Sequence, residues 1–272
     1  MAKSNESSIS TGRTPIAHPD DRRNVLVFAL TVGILFTFAT WYTGFNPFTS
    51  LLEMSEFGRF ITQDFLPPRV TNMPGIMAAM MQTIYLALAA SGTAMVLSLL
   101  WSFCGSTAVI RNKSILTLAR SLASVIRNIP ALIWTYILVF SFGIGTHAGY
   151  LALTLSSTGF LTRSFMETLD EVAAENLEAL RATGASTPAV IAQAIIPAAM
   201  PGLVSWFLYS VELNIRTSTI LGLVGAGGVG LLMMTYIKQF NYAEASFVIF
   251  VVAVATIVVN LLIDIIRKKV LA

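Results

Sequence analysis

No acidic side chain occurs between Asp64 and Glu167, and only 11% of the 272 residues are charged, against about 25% in ordinary soluble domains. A soluble globule needs a charged surface, and long stretches here carry none. Cysteine is almost missing too: Cys104 stands alone, so no internal disulfide can form and a disulfide scaffold is excluded. The low apolar content of disordered chains is also absent, since 55% of residues are apolar and the mean hydropathy is +0.74. Nor is there a periodic glycine repeat of the collagen type. What remains is a polytopic, all-α integral membrane protein. The net charge of +3 does not indicate nucleic-acid binding, because no Lys/Arg-rich face with interleaved aromatics is present. In membrane proteins a basic excess collects in cytoplasmic loops.

Other chemistry is excluded by missing motifs. His18 and His147 have no partners at metal-ligand spacing. No nucleophile triad is indicated. No G-x-x-x-x-G-K-[ST] phosphate loop exists, so ATP can drive this protein only through another chain. Gly225, Gly227 and Gly230 formally fit G-x-G-x-x-G, but no βαβ unit surrounds them and Glu244 lies only 14 residues beyond Gly230. Close helix packing or a turn explains those glycines better.

A spanning helix needs about 20 mostly apolar residues. Six stretches qualify: 24–42, 76–103, 129–145 (entered from a helix over 115–126 that carries Arg120), 148–162, 203–224 and 245–266. Residues 1–23 read as a disordered cytoplasmic tail and 24–272 as the membrane domain. Thirteen of the 17 Lys and Arg fall on one side: in the tail, between the second and third spans (Arg111, Lys113, Arg120, Arg127), between the fourth and fifth (Arg163, Arg181), and at Arg267, Lys268 and Lys269. That asymmetry places both termini in the cytoplasm. Ala90, Ala94 and Ser98 form a small-residue ridge for helix packing. In the first external loop, Ser50 to Glu53 has a capping-box pattern. Leu52, Phe57, Phe60 and Ile61 follow at helical spacing, up to Pro67-Pro68. This predicts one amphipathic helix, either packing over the bundle or forming a ledge for an external partner.

The cytoplasmic stretch 167–197 is unusually polar. Glu167, Glu171, Glu175 and Glu178 share one helical face. Gly184 is placed as a helix stop. A second short helix is expected over 188–194, ending at Pro197, with Pro201-Gly202 opening the next span. The product is a helix–Gly–helix elbow. Ala179, Ala182 and Ala185 leave little bulk around it, so a partner can approach the backbone closely.

The run EALRATGASTPAVIAQAIIP resembles the cytoplasmic EAA loop of ABC-importer permeases. Glu178, Ala179, Gly184 and Pro197 match at the family spacing, whereas Leu180, Ala194 and Ile196 depart from it. RNIPALIWTYILV at 127–139 and ELNIRTSTILGLVGAGGVG at 212–230 resemble phosphonate and phosphite permeases, the glycine-rich part being shared with methionine-type importers. The resemblance implies a type I importer permease fold in a bacterial inner membrane. It implies two ATP-binding cassette subunits holding ATP and Mg on the elbows, with Glu178, Ala179, Ala182, Gly184 and Pro197 as the coupling residues. A second permease copy, expected as a homodimer, and an extracytoplasmic solute-binding protein complete it. The cargo would be phosphonate, phosphite or hypophosphite. This chain is expected to bind no cofactor or metal and to be no enzyme.

Glu212 and Arg216 are four apart within the fifth span. Either they satisfy one another, or Arg216 biases a pathway toward anions. Asn214 lies off their face. Ser156, Ser157 and Thr158, with Thr217, Ser218 and Thr219, either line that path or bond to neighbouring helices. Rival functions are a methionine-type importer permease, a stand-alone secondary transporter, which would show broken helices and internal repeats, and a membrane enzyme. The sequence displays neither breaks nor repeats.

Overall fold

The computed structural model describes residues 19–110, 112–182 and 186–271, and among these every regular element is helical. The chain divides into two units, one up to Phe60 and one from Ile61 onward.

The first unit holds α1 (Pro19–Thr43), α2 (Pro47–Leu52) and α3 (Met54–Phe60). The apolar side chains of α1 between Val25 and Tyr42 are exposed, as suits a helix whose solvent is lipid. The expected amphipathic helix is instead two short ones. Asn46, not Ser50, caps α2, its side chain accepting from Phe48 N at 3.0 Å, with Pro47 at the favourable first position. Ser50 therefore sits inside α2 and Glu53 at its C-terminal cap, so the capping-box expectation fails. Neither α2 nor α3 has a buried residue.

The second unit begins with a stretch of π-helix over Ile61–Phe65. It contains α4 (Met73–Gly105), α5 (Lys113–Asn128), α6 (Ala131–Phe142), α7 (Thr146–Ala182), α8 (Thr187–Val190), α9 (Ile196–Leu223), α10 (Gly228–Lys238) and α11 (Tyr242–Leu271). α4 and α7 form its centre. The expected ridge Ala90, Ala94 and Ser98 is fully buried, and Ser98 Oγ donates to Thr158 O of α7 at 3.1 Å.

By length and composition, four described helical stretches are fit to cross a bilayer: Arg22–Thr43, Met73–Gly105, the run Pro188–Lys238, and Tyr242–Val270. Counted as one span, α5 and α6 would make a fifth, bent by 83° at the break, where Pro130 has no N–H to offer the ladder. That bend is a broken helix, which the sequence reading did not foresee. The expected fourth span, 148–162, is part of the single 37-residue α7. α7 is not among the apolar stretches, because Ser156, Ser157, Thr158 and the charges from Arg163 onward lower its hydropathy. It compensates by burial: Ala148, Ala152, Leu153, Leu161, Phe165 and Leu169 are essentially inaccessible.

The end of the elbow is also corrected. Thr187–Val190 passes through π-helix at Ile191–Ile195 directly into α9, with Pro197 in the first turn of α9 and Pro201 inside it. Pro197 lies where a helix tolerates proline, so it starts the span rather than stopping the preceding helix.

Candidate functional site

The elbow's first arm is the C-terminal end of α7. Glu178, Ala179 and Ala182 lie on its last turns, outside the described side chains, and Gly184 lies outside the described residues. On the glutamate stripe, Glu167 pairs with Arg163 at 2.6 Å and Glu171 is exposed. The second arm begins at Ser186, whose carbonyl accepts from Val190 N at 3.0 Å. Val190 and Ile195 turn inward, into the cluster of Leu161, Phe165, Leu169 and Ala173 of α7, Ala94 of α4, Ala108, and Ala199 and Leu203 of α9. Pro188, Ala192, Gln193 and Pro197 remain exposed. The elbow is thus anchored in the bundle on one side and offers small, weakly polar residues on the other.

The fifth-span residues separate onto two faces of α9. Arg216 Nη2 and Glu212 Oε1 are 3.2 Å apart, the arginine side chain 55% exposed and the glutamate 23%. Trp206, Tyr209 and Ile220 are exposed with Arg216. Both Trp206 and Tyr209 contact Phe160 of α7, with ring centroids 5.8 Å from it. Asn214 faces the other way and is buried. Its Nδ2 donates to Ser91 Oγ of α4 at 2.8 Å, and its Oδ1 accepts from Ser157 Oγ of α7 at 2.9 Å. Ser218 and Thr158 are buried too, their hydroxyls without a partner among the described residues. Ser156 and Thr217 are half-buried. The structure therefore brings Asn214 together with Ser157 inside the bundle and leaves Glu212 and Arg216 at its surface.

The glycine-rich run makes both a turn and a close contact. Gly225, Gly227 and Gly228 have φ of 104°, 82° and 69°, a region that β-carbons disfavour. A β-carbon on Gly222 would lie 2.6 Å from Gly227 O and 2.7 Å from Gly230 Cα. α10 therefore folds back on α9 at backbone contact distance. The turn is pinned by Thr83 Oγ1 of α4, which accepts from Val229 N at 2.8 Å.

Sequence reading missed a second polar site. Asp170 of α7 and Arg120 of α5 form an ion pair of 2.6 Å. Ser106 Oγ and Thr107 N also donate to Asp170, at 2.7 and 2.8 Å. Its signals were faint: Asp170 sits off the glutamate stripe, and Arg120 interrupts an apolar helix. The contact does bring together the Arg-rich connection and the elbow, two segments whose charge placed them on one side of the membrane.

Residues 94–270 match the family described as the binding-protein-dependent transport system inner membrane component. The chain belongs to this family. It is 29% identical over 240 residues to the phosphite transport system permease protein PtxC of Stutzerimonas stutzeri, covering 88% of this chain and 87% of that one. It is 30% identical over 170 residues to the methionine import system permease protein MetP of Bacillus subtilis, covering 58% and 77%. Its fold is similar to the inward-facing MetNI methionine ABC transporter, with a TM-score of 0.65 at 21% identity, over 74% of this chain and 99% of that one. This permease is therefore an integral membrane subunit of a binding-protein-dependent transporter, with the ABC-importer permease fold.

Proposed function

We propose that this permease imports phosphite, phosphonate or a related phosphorus oxyanion, as one of two identical membrane subunits powered by separate ATPase chains that hold ATP and Mg. The observation that carries the reading is the elbow's anatomy. Its second arm is continuous with α9, its apolar residues are locked into the α4–α7 core, and its small residues face outward. A push on such an arm moves α7 and α9 together, where a floppy loop would absorb it. Alternating access then requires only that the ATPase states bind the two permease states differently. With the elbow facing the cytoplasm, as its positive flanks favour, both termini lie on that side. The binding protein docks on the opposite face.

For the cargo, the phosphite permease aligns at 29% identity over 240 residues, against 30% over 170 residues for MetP. Glu212, Arg216, Ser156 and Thr217 are our candidates for lining the path. In a water-filled path an Arg–Glu pair is worth only about 0–1 kcal/mol, so the half-exposed Arg216 guanidinium can exchange Glu212 for an oxyanion at little cost. Such a guanidinium offers paired donors suited to phosphorus–oxygen groups. Glu212 recaptures it, which keeps the site from becoming a trap. Asn214 and Ser157 we assign to holding α4, α7 and α9 together, and Ser218 shares the buried face of Asn214 on α9.

The test is growth of a strain deleted for its own phosphite and phosphonate uptake and carrying this permease with its ATPase and binding protein. Growth on phosphite or methylphosphonate as the sole phosphorus source is expected. Rescue of a methionine-uptake mutant without growth on either phosphorus source would favour the methionine reading instead.

A further inference from the structure

Asp170 lies on the elbow's first arm, about three turns before the end of α7 at Ala182, and among the described residues its carboxylate bonds only to other parts of the chain. Oδ1 accepts from Ser106 Oγ at 2.7 Å, Thr107 N at 2.8 Å and Thr107 Oγ1 at 2.9 Å. Oδ2 accepts from Arg120 Nη2 at 2.6 Å, and Arg120 Nε donates to Gly105 O at 2.9 Å. One carboxylate and one guanidinium thus tie together the last residue of α4, the turn after it, α5 and α7. The turn is closed on itself, with Val109 N and Ile110 N donating to Ser106 O.

The side chains of Arg120 and Asp170 are 31% and 25% exposed. A largely covered ion pair of this kind is a weak source of net stability because desolvation offsets its attraction, yet several directional bonds converging on one carboxylate fix position closely. Position matters here because of the surroundings. Ala108 of the same turn packs in one apolar cluster with Leu169 and Ala173 of α7 and with Val190 and Ile195 of the elbow's second arm. A β-carbon on Gly105 would collide with the Met166 side chain, so α4 and α7 meet closely at this level. Beyond Arg120, α5 runs into the 83° bend and α6.

We propose that Asp170 and Arg120 form the joint through which displacement of the elbow reaches α4 and the α5–α6 pair, acting as positioning residues that couple ATP hydrolysis to transport. This rests on the reading that the elbow docks an ATPase subunit. With the joint intact, the elbow arms, α7 and the start of α5 move as one body. With it cut, α7 and α9 still respond to the ATPase while α4 and α5 lag, and hydrolysis runs without a full opening of the path.

The experiment uses the assembled complex in proteoliposomes, with phosphite uptake and ATP hydrolysis measured on the same vesicles. Asp170→Asn should retain ATPase co-purification and basal hydrolysis while uptake per ATP falls about tenfold. Arg120→Asp and Asp170→Arg should do the same, and the double charge swap should recover much of the ratio. A second readout needs no cargo. In a Cys104→Ser background, spin labels at positions 118 and 193 should keep their separation on nucleotide trapping in the wild-type joint and change it in Asp170→Asn. An unchanged uptake-to-ATP ratio with unchanged label distances would overturn the joint alone. Loss of assembly in the single variants that the swap does not repair would also overturn it, leaving a structural ion pair. A wild-type chain that recruits no ATPase contradicts the elbow reading, and the joint with it.

Discussion

Asn214 of α9 and Ser91 of α4, 123 residues apart in the chain, are joined by a 2.8 Å hydrogen bond deep in the bundle. The same amide accepts from Ser157 of α7, and Ser91 Oγ donates onward to Ala87 O. Three helices are thus cross-linked by one side chain whose amide oxygen and nitrogen are both engaged. Asn214→Ala removes the acceptor of the buried Ser157 hydroxyl and leaves Ser91 with only its bond to Ala87 O, and should cost about 1–3 kcal/mol. Asn214→Asp, which buries an unpaired charge, should cost more. The check is the thermal unfolding midpoint of the detergent-solubilised permease. A midpoint unchanged in both variants would remove the junction from the account.

Arg216 and Glu212 make the opposite kind of pair, its guanidinium at the surface of the bundle. Arg216→Ala should raise the KM for phosphite uptake about tenfold, equivalent to about 1.4 kcal/mol, with assembly unaltered. Glu212→Gln frees the guanidinium and should leave KM the same or lower. Uptake kinetics across both variants decide the matter, and a KM insensitive to Arg216→Ala reduces the pair to mutual satisfaction.

Gly222 and Gly230 set how closely α10 returns onto α9. Gly222→Ala places a methyl 2.6 Å from a carbonyl oxygen that backbone geometry holds in place. Overpacking of this kind costs about 1–3 kcal/mol and should lower the yield of folded protein. Gly33→Ala, where nothing lies within 4 Å, is the control and should be neutral or slightly favourable for the helix. Equal yields and melting temperatures for the two variants would contradict close packing at Gly222.

Gly184→Asp should abolish co-purification of the ATPase subunits while the chain still inserts, because the substitution adds a charge and bulk at the point of nearest approach expected on the elbow. Affinity pull-down with quantified membrane content measures both halves. Normal recovery of ATPase would move the docking site elsewhere.

Composition was enough to identify a helical membrane protein, since missing charge is a property of single residues. The ridge of Ala90, Ala94 and Ser98 was also legible, because helical spacing and small size suffice to place a packing face. The continuity of α7 was not. The span ending near Thr162 and the helix carrying the glutamate stripe read as separate pieces, whereas burial of Phe165, Met166, Leu169 and Ala173 joins them into one helix. The course of α9 was misread at Pro197, because a proline signals a stop or a start with equal force and only the chain's path decides. At the pathway, the i to i+4 spacing showed correctly that Glu212 and Arg216 share a face. The partners of Asn214 and Asp170 lie 50 to 123 residues away, and no local pattern encodes contacts of that range.

Uphill uptake of phosphite into sealed proteoliposomes is the measurement that bears most directly on the central claim. The permease is reconstituted with the binding protein and saturating phosphite, with and without its ATPase subunits and ATP. The account predicts accumulation above the external concentration only when ATPase and ATP are both present on the elbow side. Accumulation by the permease alone, or none in the complete system with the ATPase bound, would contradict it.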